Sequence, residues 1–341
     1  MVFSRRSVIV AAASAMAVGC SRSGNSKEAA ARSEAPLDSV WTTFRNLYLD
    51  PVGRIVDTGN NRISHSEGQG YGLLLAAITG DRHAFEAMWG WTRSTLMRAD
   101  VALFSWKYDP DQANHVPDPN NATDGDALIA WALMRAGARW GVGEWRETAG
   151  RIRQAIRTRL VVERAGKRLL LPGMNGFAQD DVVTLNPSYF VWPALDAFAQ
   201  ADGEGAWGQI IADAENIVRQ SRFGPSQLPC DWVDVGADGR VAPSLRYPTR
   251  FGFDAVRVGL YALAGRRASL AASIADYWRP GITSGGPIPA WVDVVTGEQA
   301  PFALSPGGRD IAMRLVGKPL PPEALGPDYY SAVLQVLARK I

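Results

Sequence analysis

Three short segments of the chain set carboxylates among glycines, hydroxyl side chains and aromatic rings. The first reads Ser64-His65-Ser66-Glu67-Gly68-Gln69-Gly70-Tyr71-Gly72 and passes into Leu73-Leu74-Leu75-Ala76. Glu67 stands where polar sequence becomes a helix, with Ser66 a candidate N-cap. One reading makes Glu67 a first-turn acid favoured by the helix dipole. It does not account for Gly68, Gly70 and Gly72, each of which weakens a helix by up to about 1 kcal/mol relative to Ala. Such a cost implies that something approaches this backbone closely. The second segment is Asn120-Asn121-Ala122-Thr123-Asp124-Gly125-Asp126, ahead of the apolar run Ala127 to Trp140. Thr123 or Asp124 could cap that helix. The third is Phe251-Gly252-Phe253-Asp254-Ala255-Val256-Arg257-Val258. Asp254 and Arg257 are i, i+3 neighbours there, in surroundings too apolar for a surface ion pair. Carboxyl groups on opposite sides of a sugar ring are what glycosidic hydrolysis usually needs. Twelve Trp point the same way, since their flat faces suit stacking on sugars.

Other chemistries find less support. The chain has three histidines, His65, His83 and His115, and neither an HExxH nor a Cys/His cluster, so no metal site is expected. Gly68, Gly70 and Gly72 have the wrong spacing for a dinucleotide loop, and no strand signal precedes them. There is no GxxxxGK[ST] and no GxSxG. No cofactor is implied. The formal charge of +2 includes Arg5 and Arg6, and without them the body is near neutral. It lacks the basic stripe that nucleic-acid binding requires.

Helices must position these segments. Trp41, Phe44, Leu47 and Tyr48 follow the helical period, as does the run from Asp81 to Trp89. The run from Ala127 to Trp140 is apolar almost all round and reads as a buried helix, with Trp131 and Trp140 as core. Further helices are expected over 144–159, 187–201, 205–220, 254–264, 267–278 and 328–339. Strand signals are confined to Lys167–Leu171 and Ala290–Val294. Ten to twelve helices with uneven loops, no strand–helix alternation and no fixed repeat predict an all-α ring of helical hairpins.

The N-terminus reads differently. Arg5-Arg6 followed by the apolar run Val8 to Val18 is too short to span a bilayer and reads as a signal segment over 1–20. Ala17-Val18-Gly19-Cys20 resembles a lipoprotein processing site, and the paired arginines a twin-arginine signal, the alternative being ordinary export with cleavage near Ala15. Residues 21–36 are small and polar, a tether or linker. The expected location is the periplasm or the exterior, with a lipid on Cys20 as the one membrane contact. Cys230 remains as a buried small hydrophobe.

Together the three segments resemble glycoside hydrolase family eight, and most closely its periplasmic endo-β-1,4-glucanases (cellulases) associated with bacterial cellulose synthesis. The likeness runs from about Trp41 to Leu337 and includes Asn186-Pro187-Ser188-Tyr189 and Asp328-Tyr329-Tyr330. It is looser over 175–185 and after Leu304. The resemblance implies an (α/α)6 barrel of six inner and six outer helices, with minor strands in its loops, as one catalytic domain over 37–341. It implies inverting hydrolysis of a β-1,4-glucan polysaccharide. Glu67 would be the general acid, with a raised pKa, and Asp254 the general base. Their carboxyls would lie about 6.5–9.5 Å apart to admit a water. Asp124 would hold the distorted sugar, Arg257 would orient Asp254, and Tyr189 would sit beside base and water. Trp106 would stack under a glucosyl ring, and Tyr330 belongs to the substrate-binding set. The implied partners are the glucan and the cellulose synthesis machinery, met by a monomer. Family members acting on chitosan, xylan or mixed-linkage glucan, and a non-catalytic glucan-binding protein, are the alternatives.

Overall fold

Two kinds of helix follow from the apolar pattern, and they take different places. The structure, a computed structural model, describes residues 38–179, 181–322 and 324–341. The signal segment read over 1–20 and the linker over 21–36 lie outside the described residues. Helices with one apolar stripe are α1 (Ser39–Tyr48), α3 (Arg82–Thr95), α5 (Gly143–Arg159), α7 (Glu204–Gln220) and α9 (Ala272–Ser284). In α1 only Trp41, Phe44 and Tyr48 are buried, and in α9 only Ile274, Ala275 and Trp278. The others are α2 (Ser66–Thr79), α4 (Thr123–Trp140), α6 (Trp192–Asp202), α8 (Val256–Ala264), α10 (Pro306–Leu315) and α11 (Tyr329–Lys340). Of these, α2, α4, α8 and α11 are buried along most of their length.

The second set closes a ring. Contacts run α2 to α4, α4 to α6, α6 to α8, α8 to α10, α10 to α11, and α11 back to α2. Each striped helix packs outside: α3 on α2, α5 on α4, α7 on α6, α9 on α10, and α1 on α11 and α2. A helix that is apolar all round must be covered on every side, so burial sorts the two layers.

The glycines of α2 show how tightly the inner layer is drawn. A Cβ on Gly70 would fall 2.6 Å from Leu128 Cβ, and one on Gly125 would fall 2.2 Å from Ser66 Oγ and 2.8 Å from the Glu67 nitrogen. One on Gly68 would fall 2.7 Å from Tyr329 Oη. The neighbours that require these glycines are therefore α4 and α11, and their absent side chains place Glu67 and Asp124 against each other.

Short antiparallel strands brace the loops. β1 (Ser64–His65) pairs with β2 (Lys107–Tyr108), and β3 (Val161–Arg164) with β4 (Lys167–Leu170). β5 (Val182–Leu185), β6 (Val233–Gly236) and β7 (Val241–Pro243) form one sheet. β8 (Arg250–Phe251) pairs with β9 (Val292–Asp293).

Several expectations are corrected. The helix read over 187–201 is broken: Pro187–Tyr189 is a 3-10 turn capped by Asn186, and α6 starts at Trp192. The region 267–278 opens as a 3-10 turn, and α9 then runs on to Ser284. α10 was hidden by Gly307 and Gly308 behind its Ser305 cap. His65, not Ser66, caps α2, accepting the Gly68 N–H. α4 starts at Thr123 with no side-chain cap, so Asp124 and Asp126 lie inside its first turn. Asp254 lies in the turn before α8 rather than on it.

Candidate active site

The starts of inner helices converge on one cavity of about 170 Å³, lined by His65, Ser66, Glu67, Trp106, Asp124, Tyr189, Asp254 and Arg257 among others. Glu67 and Asp124 are each second in their helices, α2 and α4. Asp254 is two residues ahead of α8, and Tyr189 closes the 3-10 turn ahead of α6. N–H dipoles at helix starts favour negative charge there, so this end of the ring suits a group of carboxylates.

Arg257 is the hub. Its Nη2 lies 2.7 Å from Asp254 Oδ1, and its Nη1 lies 3.4 Å from Asp124 Oδ2 and pairs with Glu67 Oε1. It also donates to Ser188 Oγ at 3.1 Å and Tyr71 Oη at 3.2 Å. Tyr71 in turn donates to Glu67 Oε1 at 3.1 Å and shares a hydrogen bond with Tyr261 at 2.8 Å. A single guanidinium thus ties together carboxylates from α2, α4 and the turn before α8. Its side chain is 3% exposed and that of Asp124 2%, whereas Glu67 keeps 14% and Asp254 30%. Asp254 is accordingly the carboxylate most open to water.

Burial sets the protonation of this cluster. It raises the Asp124 carboxyl, with the nearby charge of Asp254 acting in the same sense and the Gly125 N–H opposing. Asp126 is pushed up to about 8 by burial, against hydrogen bonds from Asn121 Nδ2 and the Phe104 N–H. Asp254, the least enclosed, is pushed up to about 6 by burial, opposed by the Asn186 amide that donates to its Oδ2 at 3.0 Å. The Tyr189 hydroxyl is raised well above its usual value by burial and by the charges of Asp124 and Asp254.

The aromatic residues divide. Trp106 is half-buried at the cavity, with its Nε1 donating to Asp118 at 2.7 Å and its carbonyl accepting the Ser66 N–H at 2.9 Å. The Asp126 contact to Phe104 pins this loop to α4. The Arg257 guanidinium lies 5.9 Å from the centre of the Tyr189 ring. Tyr330 is not among the lining residues: its hydroxyl donates to the Phe253 carbonyl and so holds the turn that carries Asp254. Beyond Tyr189, Trp232 stacks on Tyr247 at 4.4 Å and on Phe177 at 5.7 Å between ring centres. Trp131 is core, as expected, and Trp140 is half-buried against that core.

The chain matches the family model for glycosyl hydrolases family 8 over residues 12–340. The chain belongs to glycoside hydrolase family 8. It is 38% identical over 285 residues to an endoglucanase of Cellulomonas uda, covering 83% of this chain and 78% of that one. It is 39% identical over 304 residues to a probable endoglucanase of Novacetimonas hansenii, covering 87% and 88%. Among solved structures, a family 8 endo-β-1,4-glucanase from an Achatina fulica gut metagenomic library superposes with a TM-score of 0.85 at 38% identity, over 89% of this chain and 96% of that one. The ring of inner helices is the (α/α)6 barrel of this family, with five outer helices among the described residues rather than six. The protein is a glycoside hydrolase.

In this family 8 chain the structure brings together Glu67, Asp124, Trp106, Tyr189, Asp254 and Arg257, and sets Tyr330 one step behind. Sequence reasoning gave no role to Asn186, Ser188, Tyr71 or Asp231. Asn186 and Ser188 stood in a quoted motif next to Tyr189, and Tyr71 beside Glu67 in another. Asp231 lies in the loop Pro229-Cys230-Asp231-Trp232, which has no periodicity to mark it. No group of three or more His, Cys, Asp or Glu among the described residues is arranged to hold a metal ion.

Proposed function

We propose that the protein is an endo-acting hydrolase of β-1,4-glucan that works with inversion, using Glu67 as acid and Asp254 as base. The observation that carries this reading is the set of three carboxylates on one guanidinium in a single cavity, with only Asp254 substantially open to solvent. The glycosidic C1–O bond breaks as Glu67 gives its proton to the departing oxygen. The new C1–O bond forms from a water on the other face of the ring, whose proton passes to Asp254. Arg257 and Asn186 hold the two Asp254 oxygens, so the base is fixed before the water arrives. Asp124, kept protonated by its burial, offers an O–H to a sugar hydroxyl at the cleavage point. Tyr189 flanks base and water, Trp106 is the stacking platform, and Tyr330 supports the base loop from α11.

The same reading places the enzyme outside the cytoplasm, exported through its N-terminal segment and either lipidated at Cys20 or released. It acts there as a monomer on glucan chains, alongside the cellulose synthesis machinery. The basis is the residue pattern of 1–20 and the family likeness.

The test is product analysis on a panel of soluble β-glucans, chitosan and xylan, with proton NMR of the first-formed sugar. Cleavage of internal β-1,4-glucosyl bonds to an α-anomer is expected. A β-anomer would overturn the inverting assignment, and cleavage confined to chitosan or xylan would overturn the substrate.

A further inference from the structure

Asp231 takes no part in the mechanism above, yet it lies half-buried against the turn that presents Asp254. Its Oδ1 accepts the Ala255 N–H at 2.7 Å and the Gly252 N–H at 3.1 Å, one on either side of Asp254. A Cβ on Gly252 would fall 2.8 Å from Asp231 Oδ2, so the carboxylate also explains why glycine stands there. Asp231 is itself pinned. Its N–H donates to the Arg250 carbonyl at 2.7 Å, and the next carbonyl, of Trp232, accepts from Cys230 Sγ at 2.9 Å and the Ser244 N–H at 3.0 Å. The turn is thus gripped by its N–H groups from Asp231 and by the Phe253 carbonyl from Tyr330.

We propose that Asp231 is a positioning residue for the base: its side chain accepts from the turn 252–255 and so fixes where Asp254 is presented. This rests on Asp254 being the base. Arg257, on α8, lies 2.7 Å from Asp254 Oδ1 and the Asn186 amide 3.0 Å from its Oδ2, so these two hold the side chain while Asp231 holds the backbone on either side of it. Burial and the Asp254 charge raise the Asp231 carboxyl to about 8, above Asp254 at about 6, so Asp231 acts through its hydrogen bonds and not through its charge.

The experiment compares Asp231→Ala and Asp231→Asn with wild type and with Asp254→Asn on carboxymethylcellulose. Asparagine keeps an acceptor for the two N–H groups, whereas alanine removes it. We expect Asp231→Ala to leave KM unchanged and lower kcat at least about tenfold. Asp231→Asn should recover most of that kcat. A wild-type kcat in Asp231→Ala, or a kcat in Asp231→Asn no higher than in Asp231→Ala, overturns the proposal. If Asp231→Ala does not fold, Asp231→Asn decides alone: a kcat lowered about tenfold or more despite the retained acceptor overturns the proposal. Should Asp254→Asn remain active, it is the assignment of the base that has failed.

Discussion

With Asp254 as the proposed base, its protonation sets the pH behaviour of this enzyme. Its carboxyl is pushed up to about 6 by burial, and only the ionised form can accept the proton of water. The sign is therefore fixed: kcat/KM falls as pH drops through about 6, and the acidic limb should be centred there in a profile on soluble glucan. A limb near the ordinary carboxylate value would mean that the cavity does not perturb Asp254. The two carboxylates should also separate by leaving group. General acid–base help is worth about 10²–10⁴-fold per group. Glu67→Gln should lose activity of that order on carboxymethylcellulose and recover part of it on an aryl glucoside whose leaving group needs no proton. Asp254→Asn should lose as much and recover nothing. Equal recovery of both would sink the assignment of acid and base.

At the scale of elements, the crossing of α2 and α4 is what puts Glu67 beside Asp124. Gly125→Ala would drive a methyl into Ser66 Oγ and the Glu67 backbone. Overpacking of this kind costs about 1–3 kcal/mol, and here it would also shift Glu67. Gly90, in α3, faces open space, so Gly90→Ala should stabilise by about 0.5–1 kcal/mol from helix propensity alone. Denaturant unfolding of the two variants, with kcat on the same preparations, reads both effects. A Gly125→Ala enzyme as stable and active as wild type would refute the close crossing. The loops act as elements too: β1 with β2 ties the entry of α2 to the Trp106 loop, and β8 with β9 steadies the approach to Asp254.

For the whole molecule, the ring closes from α11 back onto α2, so α11 helps to hold the helix that carries Glu67, the proposed acid. Tyr329 packs against the ring of His65, and Tyr330 reaches the turn that carries Asp254. Shortening the chain before α11 would therefore open the site as well as the ring. The N-terminal expectation is tested at this scale. Mass spectrometry of the mature protein from its native host should show a chain that lacks Met1 and begins at Cys20 if lipidated, or near Ala15 if released. An intact Met1 would refute export.

Local pattern determined a good deal by itself. Helical periodicity marked most of the helices because a stripe or a fully apolar face is written in consecutive residues. It failed where glycines and prolines interrupt the pattern, as in α10 and at Pro187, since packing there overrides propensity. The carboxylates were legible as residue types set in unusual glycine-rich company, and the family likeness gave them roles. What the glycines were for was not legible, because a close approach involves a partner distant in the chain. Nor was the convergence on Arg257, which joins positions from α2, α4 and the turn before α8. Asp231 was silent for the same reason: its partners are backbone N–H groups, which every residue but proline carries and no sequence pattern distinguishes. Only the closed ring brings them within hydrogen-bonding distance, and only enclosure in that ring raises the proton affinity of Asp254.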